Sequence, residues 1–338
     1  MVEMKPIQKI PLQQIDLSDE VFSVNYLPDL RSLLSSIREW GLIQPVLLRK
    51  KKDRFQIVCG FRRVSALMEL GHPEIESRVF EEKERSELEL FSISLHENLM
   101  ARGFNTVEKA IALDKLVHHF RIDRMDVIKK FLPLFSLEPN EKILMTFLSL
   151  ARMEDEVKKY VLKESVSRSN IRMLSAFETE DRKVLIPFLS SLKLGENRLR
   201  EILTLLDEIS RNSRIKVREM VGRPEIEAIL SQGELTSSQR TERMKKVLMD
   251  LRYPRMGQVE ERFDRGLKKL NLPSGITLRH SPYFEGKELK IEFEFRRIEE
   301  YRSIVASLSS LADKKEFEEM VAGQLIPSAP PLEKGEEN

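Results

Sequence analysis

The chain has 338 residues, with 57 Lys+Arg against 55 Asp+Glu and a formal net charge of +2, length enough for two or three domains of roughly 100–200 residues. Near-balanced charge excludes a strongly cationic nucleic-acid coat and an acidic disordered chain. A single cysteine, Cys59, excludes an intrachain disulfide framework and a cysteine-rich zinc site.

No run approaches the ~18–20 apolar residues of a membrane span, and the opening MVEMKPIQKIPLQQIDL has no apolar segment of signal-peptide length. The expectation is a cytoplasmic protein with no membrane partner. Charged residues make up 33%, above the usual ~25%, as long solvated helices would give.

The first segment mixes strand and helix signals. Ile7 to Ile15 reads as a short strand. Leu30, Leu33, Leu34 and Ile37 fall on one helical face, and Gly41 is a plausible stop. Gln44-Pro45 breaks the chain before a strand at Val46-Leu47-Leu48. Lys50 to Arg54 is a charged turn, Phe55 to Val58 a second strand, and Gly60 marks its end. Val64, Leu67 and Met68 form the apolar face of the next helix, which stops at Gly71-His72-Pro73. Ser77 to Phe80 is a short strand. Ser86 to Leu99 is a helix with Leu88, Phe91 and Leu95 on one side.

From about Asn105 to Asp207 the chain reads as almost all helix, opened by capping-box spacing at Asn105 to Glu108. Breaks fall at Pro133–Pro139, Ser165–Asn170 and Lys193–Asn197. Ser210 to Gln258 is polar and basic, with a helix from about Ser237 to Leu251. Val259, Phe263, Leu267 and Leu270 then outline a helix, and Ile276 and Leu278 a strand. Phe284 to Lys287 turns, and Leu289, Ile291, Phe293 and Phe295 alternate as in a half-buried strand. Arg297 to Leu311 closes with a helix. So small an α-β-β-α unit rarely stabilises itself with one core, which predicts pairing with a second copy. The tail from Pro327 is Pro- and Glu-rich and reads as disordered.

The strongest chemical feature is Cys59-Gly60-Phe61-Arg62-Arg63. A glycine at a strand end lets backbone approach a ligand, and two arginines at a helix start can each fork hydrogen bonds to phosphate. The helix N-terminus adds partial positive charge. A surface arginine pair on an ordinary turn is the competing reading. Three stretches then occur in order: Ser36 to Val46 (S-I-R-E-W-G-L-I-Q-P-V), Gly60 to Arg63, and His96-Glu97-Asn98-Leu99 followed by Asn105 to Ala110. Their order and spacing resemble the ParB family of nucleotide-switched DNA clamps. The family pattern is S-I-x-x-x-G-x-x-Q-P, G-E-R-R-x-R-A, E-N-x-Q-R and N-P-x-E-E-A.

The resemblance implies an α+β protein with a ParB/sulfiredoxin-like N-terminal domain at 1–110. A helix-turn-helix-like domain at 111–209, a basic partly helical linker at 210–256 and a dimerisation domain at 257–322 would follow, then a tail at 323–338. It implies cytidine triphosphate (CTP) as ligand. Gly41, Gln44 and Pro45 would shape the nucleoside pocket, and Gly60, Arg62 and Arg63 would hold phosphates. Glu97 and Asn98 would approach the phosphates and a magnesium ion. It also implies DNA, a second copy and a Walker-type partition ATPase as partners, and a nucleoid-associated location.

The sequence departs from the pattern in places. Phe61 replaces a glutamate, so it can neither ligate a metal nor orient water. Ser65 replaces an arginine, Met100 and Ala101 replace Gln and Arg, and Thr106 replaces a proline. No catalytic residue is assigned, and hydrolysis is not expected. In the helical middle, Ile143 to Met153 and Asp155 to Lys163 resemble the end of the family's reader motif and its successor. Glu138 and Glu141 at a helix start would face phosphates unfavourably. Arg152, Arg168 and Arg172 are the candidate phosphate contacts there.

Residues 211–269 hold 15 Lys+Arg against 9 Asp+Glu, and residues 313–338 hold 3 against 7. Lys245 and Lys246 in this basic stretch are candidate DNA contacts, and the ParB resemblance implies Lys268 and Lys269 as others. The Gly286 to Phe293 run resembles chromosomal ParB dimerisation domains, with Arg279 and Lys287 as further basic positions.

Three features carry less. Cys59 is one residue away from the reactive position of sulfiredoxins, which share this fold. His118-His119 sits late in a helix with no carboxylate at metal spacing, and Trp40 is expected to pack. H-E-x-x-H, P-loop and G-x-S-x-G motifs are absent. The leading function is a ParB-like, CTP-gated dimeric clamp in partition or nucleoid organisation. A dimeric protein-interaction scaffold and a ParB-like nuclease are the alternatives.

Overall fold

The structure is a computed structural model, and it describes residues 5–273, 275–280 and 288–323. Elements run β1 (Ile7–Pro11), β2 (Ile15–Asp16), α1 (Arg31–Trp40), β3 (Val46–Lys51), β4 (Arg54–Cys59), α2 (Phe61–Glu69), β5 (Glu74–Phe80), α3 (Glu87–Ala101) and α4 (Thr106–Asp114). A π-helical turn, Lys115–His119, continues α4. Next come α5 (Arg124–Asp126), a second π turn at Val127–Phe131, α6 (Leu132–Leu134), α7 (Glu141–Arg152), α8 (Asp155–Lys163) and α9 (Arg168–Ala176). Then follow α10 (Thr179–Leu192), α11 (Glu196–Ser213), α12 (Val217–Val221), α13 (Pro224–Ser231), α14 (Ser237–Arg252), α15 (Pro254–Leu270), β6 (Ile276–His280), β7 (Leu289–Phe293), α16 (Ile298–Ala312) and α17 (Lys315–Gly323). The class is α+β.

Two compact units are present, Met1–Thr204 with Lys216–Gly222, and Leu205–Ile215 with Arg223–Asn338. In the first, five strands lie in the order β1-β5-β3-β4-β2. β3 pairs antiparallel with β4 and parallel with β5. Val46, Leu48, Ile57 and Val58 are fully buried, so the central strands read as apolar runs. The strand expected over Ile7 to Ile15 is two strands interrupted by a 3₁₀ turn at Leu12–Gln14. Leu12 N there bonds Pro73 O at 3.0 Å instead of a strand neighbour.

Helix boundaries follow their caps. Gly41 (φ 71°) ends α1. Ser86 with Glu89, and Asn105 with Glu108, form complete capping boxes on α3 and α4. Two expected core residues are exposed. The buried arc of α2 runs through Val64, Ala66 and Leu67, which leaves Met68 outside, and that of α3 runs through Leu90, Phe91, Ser94 and Leu95, with Leu88 at its edge.

In the second unit, Met244 and Leu248 of α14 and Ile226 and Ile229 of α13 are buried. The 210–256 segment holds α12, α13 and α14 separated by short non-helical stretches. Further on, β6 and β7 pair antiparallel, from Ile276 opposite Phe293 to His280 opposite Leu289. A small core gathers Phe263, Leu270, Leu278 and Leu311. The order helix, strand, strand, helix is as expected, with α17 added. The turn expected at Phe284 to Lys287 and the tail from 324 lie outside the described residues.

Candidate nucleotide-binding site

The corner between β4 and α2 is set by Gly60, whose φ of 98° is open to glycine and strained for other residues. A Cβ there would lie 2.6 Å from Val46 Cγ1, so the close approach of the strand excludes any side chain. Gly60 caps α2 without a side-chain oxygen, so the first amides of that helix remain available to an anion.

A cavity of about 400 Å³ opens at this corner, within the usual ~300–1,000 Å³ of small-molecule sites. Six of the eight residues expected to bind nucleotide line it: Gln44, Gly60, Arg62, Arg63, Glu97 and Asn98. Gly41 and Pro45 are not among its lining residues. Gly41 shapes the end of α1, and the Pro45 carbonyl accepts a 3.1 Å bond from Arg63.

The two arginines differ in role. Arg63 pairs with the Glu97 carboxylate and donates to the carbonyls of Gln44 (3.2 Å) and Pro45 (3.1 Å). Its charge is matched within the protein. Arg62 donates to the Asp29 carbonyl, and its Nε is buried without a partner. The neighbouring Arg31 guanidinium holds the Asp29 carboxyl well below the usual carboxylate range. Asn98 donates Nδ2 to Ser94 O at 2.9 Å.

Sequence reasoning missed the opposite wall. Phe22, Ser23, Val24 and Asn25 line the cavity from a loop without helical or strand periodicity, and Ser32 and Ser36 line it from α1. Ser36 stood within the quoted motif, which was the available signal. Arg102 also lines the cavity, and it spans Glu108 (2.7 and 2.9 Å) and Asn25 Oδ1 (3.0 Å). Phe61 is half-buried against the sheet core and lines the cavity too.

Three other expectations are corrected or placed. Trp40 is 71% exposed, because it ends α1 on the side away from the core. His118 does have a carboxylate partner: Nδ1 lies 2.9 Å from Asp114 Oδ1, one helical turn back. Cys59 is buried, and burial pushes its thiol pKa up, away from a reactive thiolate. Among the described residues there is no group of three His, Cys, Asp or Glu placed to hold a metal.

The candidate DNA contacts are dispersed. Arg168 and Arg172 are exposed one turn apart on α9. Arg168 lies close enough to Lys109 to depress its pKa, second to burial. Arg152 ends α7, with Nη2 2.6 Å from His118 Nε2 and Nε 3.5 Å from Asp114. Asn140 caps α7 and Glu141 opens it, which suits the helix dipole and repels phosphate. In the second unit Lys246, Lys268 and Lys269 are exposed and Lys245 is half-buried. No helix among the described residues is long and apolar enough to cross a membrane.

Residues 1–99 match the family model of the ParB N-terminal domain. This part of the chain is similar to the ParB N-terminal domain. The matched residues hold the sheet, the Gly60 corner and all of the cavity lining except Ala101 and Arg102. Over 179 residues the chain is 25% identical to the nucleoid occlusion protein of Halalkalibacterium halodurans, covering 52% of this chain and 60% of that protein. Over 159 residues it is 24% identical to the nucleoid occlusion protein of Oceanobacillus iheyensis, covering 46% and 52%. The matches thus span three-fifths or less of those relatives.

Among solved structures, the C-terminally truncated chromosome-partitioning protein ParB of Caulobacter crescentus complexed with CTP-γ-S is 22% identical. It covers 54% of this chain and 97% of its own, with a TM-score of 0.25. The same protein complexed to the centromeric parS site is 21% identical and covers 59% and 97%, with a TM-score of 0.35. At those scores the likeness carries no argument about this chain.

Proposed function

We propose that the protein is a nucleotide-responsive, DNA-associated ParB-type protein acting on the bacterial chromosome in partition or nucleoid occlusion. The observation that carries this reading is the cavity at the Gly60 corner. An uncapped helix N-terminus, the Arg62 guanidinium beside an Asp29 carboxylate that Arg31 already pairs, and a glycine closed to any Cβ meet there. A phosphate chain fits that donor set, since the buried Arg62 Nε has no partner of its own. In this reading Gly60 and Arg62 hold phosphates of CTP, Arg63 fixes the corner, and Gln44 borders the nucleoside.

Magnesium is usually held by one or two carboxylates together with the phosphates. Glu97 is the carboxylate lining the cavity, and one of its oxygens is engaged by Arg63. Its other oxygen and Asn98 Oδ1 are the groups that would face the ion. Phe61 supplies neither a ligand nor a proton acceptor, so the reading is a binder and switch rather than a hydrolase. A nuclease reading would call for a carboxylate cluster of two-metal geometry, and none is present among the described residues.

The second unit supports a homodimer. α16 buries only Leu311 of its apolar residues, while Ile298, Tyr301 and Val305 are 54%, 39% and 42% exposed. Ile291 and Phe295 add to the exposed apolar surface of that unit, and Phe295 packs on Tyr301 at 5.0 Å. A second copy would cover this face. DNA would contact Arg168 and Arg172 and the lysines of α14 and α15. A Walker-type ATPase partner and a nucleoid location follow from the ParB reading alone. The scaffold alternative keeps the dimer and drops the ligands.

The deciding experiment is calorimetric titration of the full chain with each of the four nucleoside triphosphates, with and without duplex DNA. The reading expects CTP to bind most tightly and DNA to change its affinity. Failure of all four to bind, with the dimer intact, favours the scaffold.

A further inference from the structure

Phe22, Ser23, Val24 and Asn25 wall the cavity from a segment with neither helix nor strand. Backbone carbonyls of such a segment need donors from elsewhere in the fold. Three of them converge on one amine. Lys115 Nζ donates to Glu20 O at 2.5 Å, Val21 O at 3.1 Å and Ser23 O at 2.7 Å. An ammonium has three N–H donors and no acceptor, so its capacity is filled by this one loop.

Lys115 opens the π-helical turn that follows α4. Single π turns within α-helices concentrate at functional positions. Burial pushes the Lys115 amine pKa down, against the opposing pull of Glu20 and Asp19. Other ties on the segment are single bonds from separate groups: Ser23 N donates to Glu20 O at 3.0 Å, Ser94 Oγ to Phe22 O at 3.1 Å, Arg102 to Asn25 Oδ1 at 3.0 Å, and Tyr26 donates its N to Glu108 at 3.4 Å and its hydroxyl to Asp155 Oδ1 at 2.6 Å.

We infer that Lys115 is a positioning residue for the ligand cavity, its ammonium fixing the 20–23 backbone so that the wall stands before a ligand arrives. The identity of that ligand as a nucleotide rests on the reading above, whereas the tether itself does not. The π turn that extends the helix of the last ParB motif thereby sets the shape of a cavity whose other wall is made by the earlier ones.

The test is hydrogen–deuterium exchange on the full chain and on Lys115→Met, which keeps the stem and removes the donors. Amides of 20–26 should exchange at least tenfold faster in the variant, while those of β3, β4 and α2 stay unchanged. The CTP dissociation constant should rise at least fivefold. Unchanged exchange over 20–26 overturns the inference, and so does faster exchange spread evenly through the sheet, the mark of a general structural role.

A second measurement needs no variant. In the unaltered chain, amine acylation of Lys115 should run at least twentyfold slower than that of exposed Lys130, and equal rates overturn the inference. Absence of CTP binding by the unaltered chain overturns the nucleotide reading alone, because exchange and acylation are read without ligand.

Discussion

Arg63 and Glu97 form an ion pair at the edge of the cavity, and the same guanidinium donates to the carbonyls of Gln44 and Pro45. One side chain therefore ties α2 to α3 and to the turn before β3. The adjacent Arg62 hydrogen-bonds a backbone carbonyl and lies near the Asp29 carboxylate, which Arg31 already pairs. Two neighbouring arginines of one motif thus divide the work, one holding the fold and the other offering charge to a ligand.

The division is measurable. Arg63→Ala leaves the largely buried Glu97 pairing unmade and should cost about 2 kcal/mol of stability, the range of a charged hydrogen bond. Arg62→Ala, which removes one hydrogen bond to a backbone carbonyl, should cost less, about 1 kcal/mol, while weakening CTP binding at least tenfold. Urea denaturation and calorimetry on both variants check this. A larger stability loss for Arg62→Ala than for Arg63→Ala would reverse the assignment.

Gly60→Ala combines left-handed strain with a Cβ 2.6 Å from Val46 Cγ1. The strain alone costs about 1–2 kcal/mol, and the displaced strand adds to it. The expected outcome is a lowered denaturation midpoint together with loss of CTP binding. Gly71→Ala shares the positive φ without any neighbour within 4 Å and should cost less.

Acid should loosen the helical region at a defined pair. Hydrogen bonds from Arg182, at 2.8 Å, lower the Glu154 pKa from 4.5 to about 2. A depressed folded-state pKa contributes stability above the unfolded value that is lost as pH falls through the folded one. That contribution should be complete above about pH 4.5 and disappear toward pH 2. In Glu154→Gln the urea midpoint should fall less steeply across this window than in the parent chain, and equal slopes would refute the assignment.

The exposed face of α16 gives the dimer test. Tyr301→Asp with Val305→Asp places charge on the apolar surface where a partner would sit, at positions the isolated unit leaves 39% and 42% exposed. Sedimentation equilibrium should show the dimer weakened at least 100-fold with helical content unchanged. A dimer of undiminished affinity would move the interface elsewhere.

DNA contact has its own signature. Each neutralised phosphate adds about 0.9 to the slope of log affinity against log salt. Replacing Arg168 and Arg172 by alanine should lower the slope by roughly 1–2. A fluorescence titration at several salt concentrations reads it, and an unchanged slope would remove α9 from the interface.

Much of the first domain was legible because its signals are local. A proline before β3, a glycine at the end of β4 and polar caps with Glu three residues on depend on neighbours within one turn, and these elements appear where expected. Errors arose where burial depends on a distant surface. Met68 and Leu88 have the right residue type for a core and sit on the outer edge of their helices. Trp40 lies past the last buried turn of α1. His118 acquired Asp114 because the π turn still places the two one helical turn apart.

By itself the sequence determined the α+β class and the Gly60 corner with its paired arginines, since a strand-end glycine and an arginine pair are chemical choices written in order along the chain, while Gln44, Glu97 and Asn98 came from the resemblance to the ParB family. Tertiary structure decided which arginine remains for a ligand and what closes the opposite wall. Arg63 is matched by a carboxylate 34 residues away, and the carbonyls of the 20–23 loop are held by a lysine 92 to 95 residues away. Such pairings satisfy charge and backbone donors only once the helices have packed, so no local spacing records them.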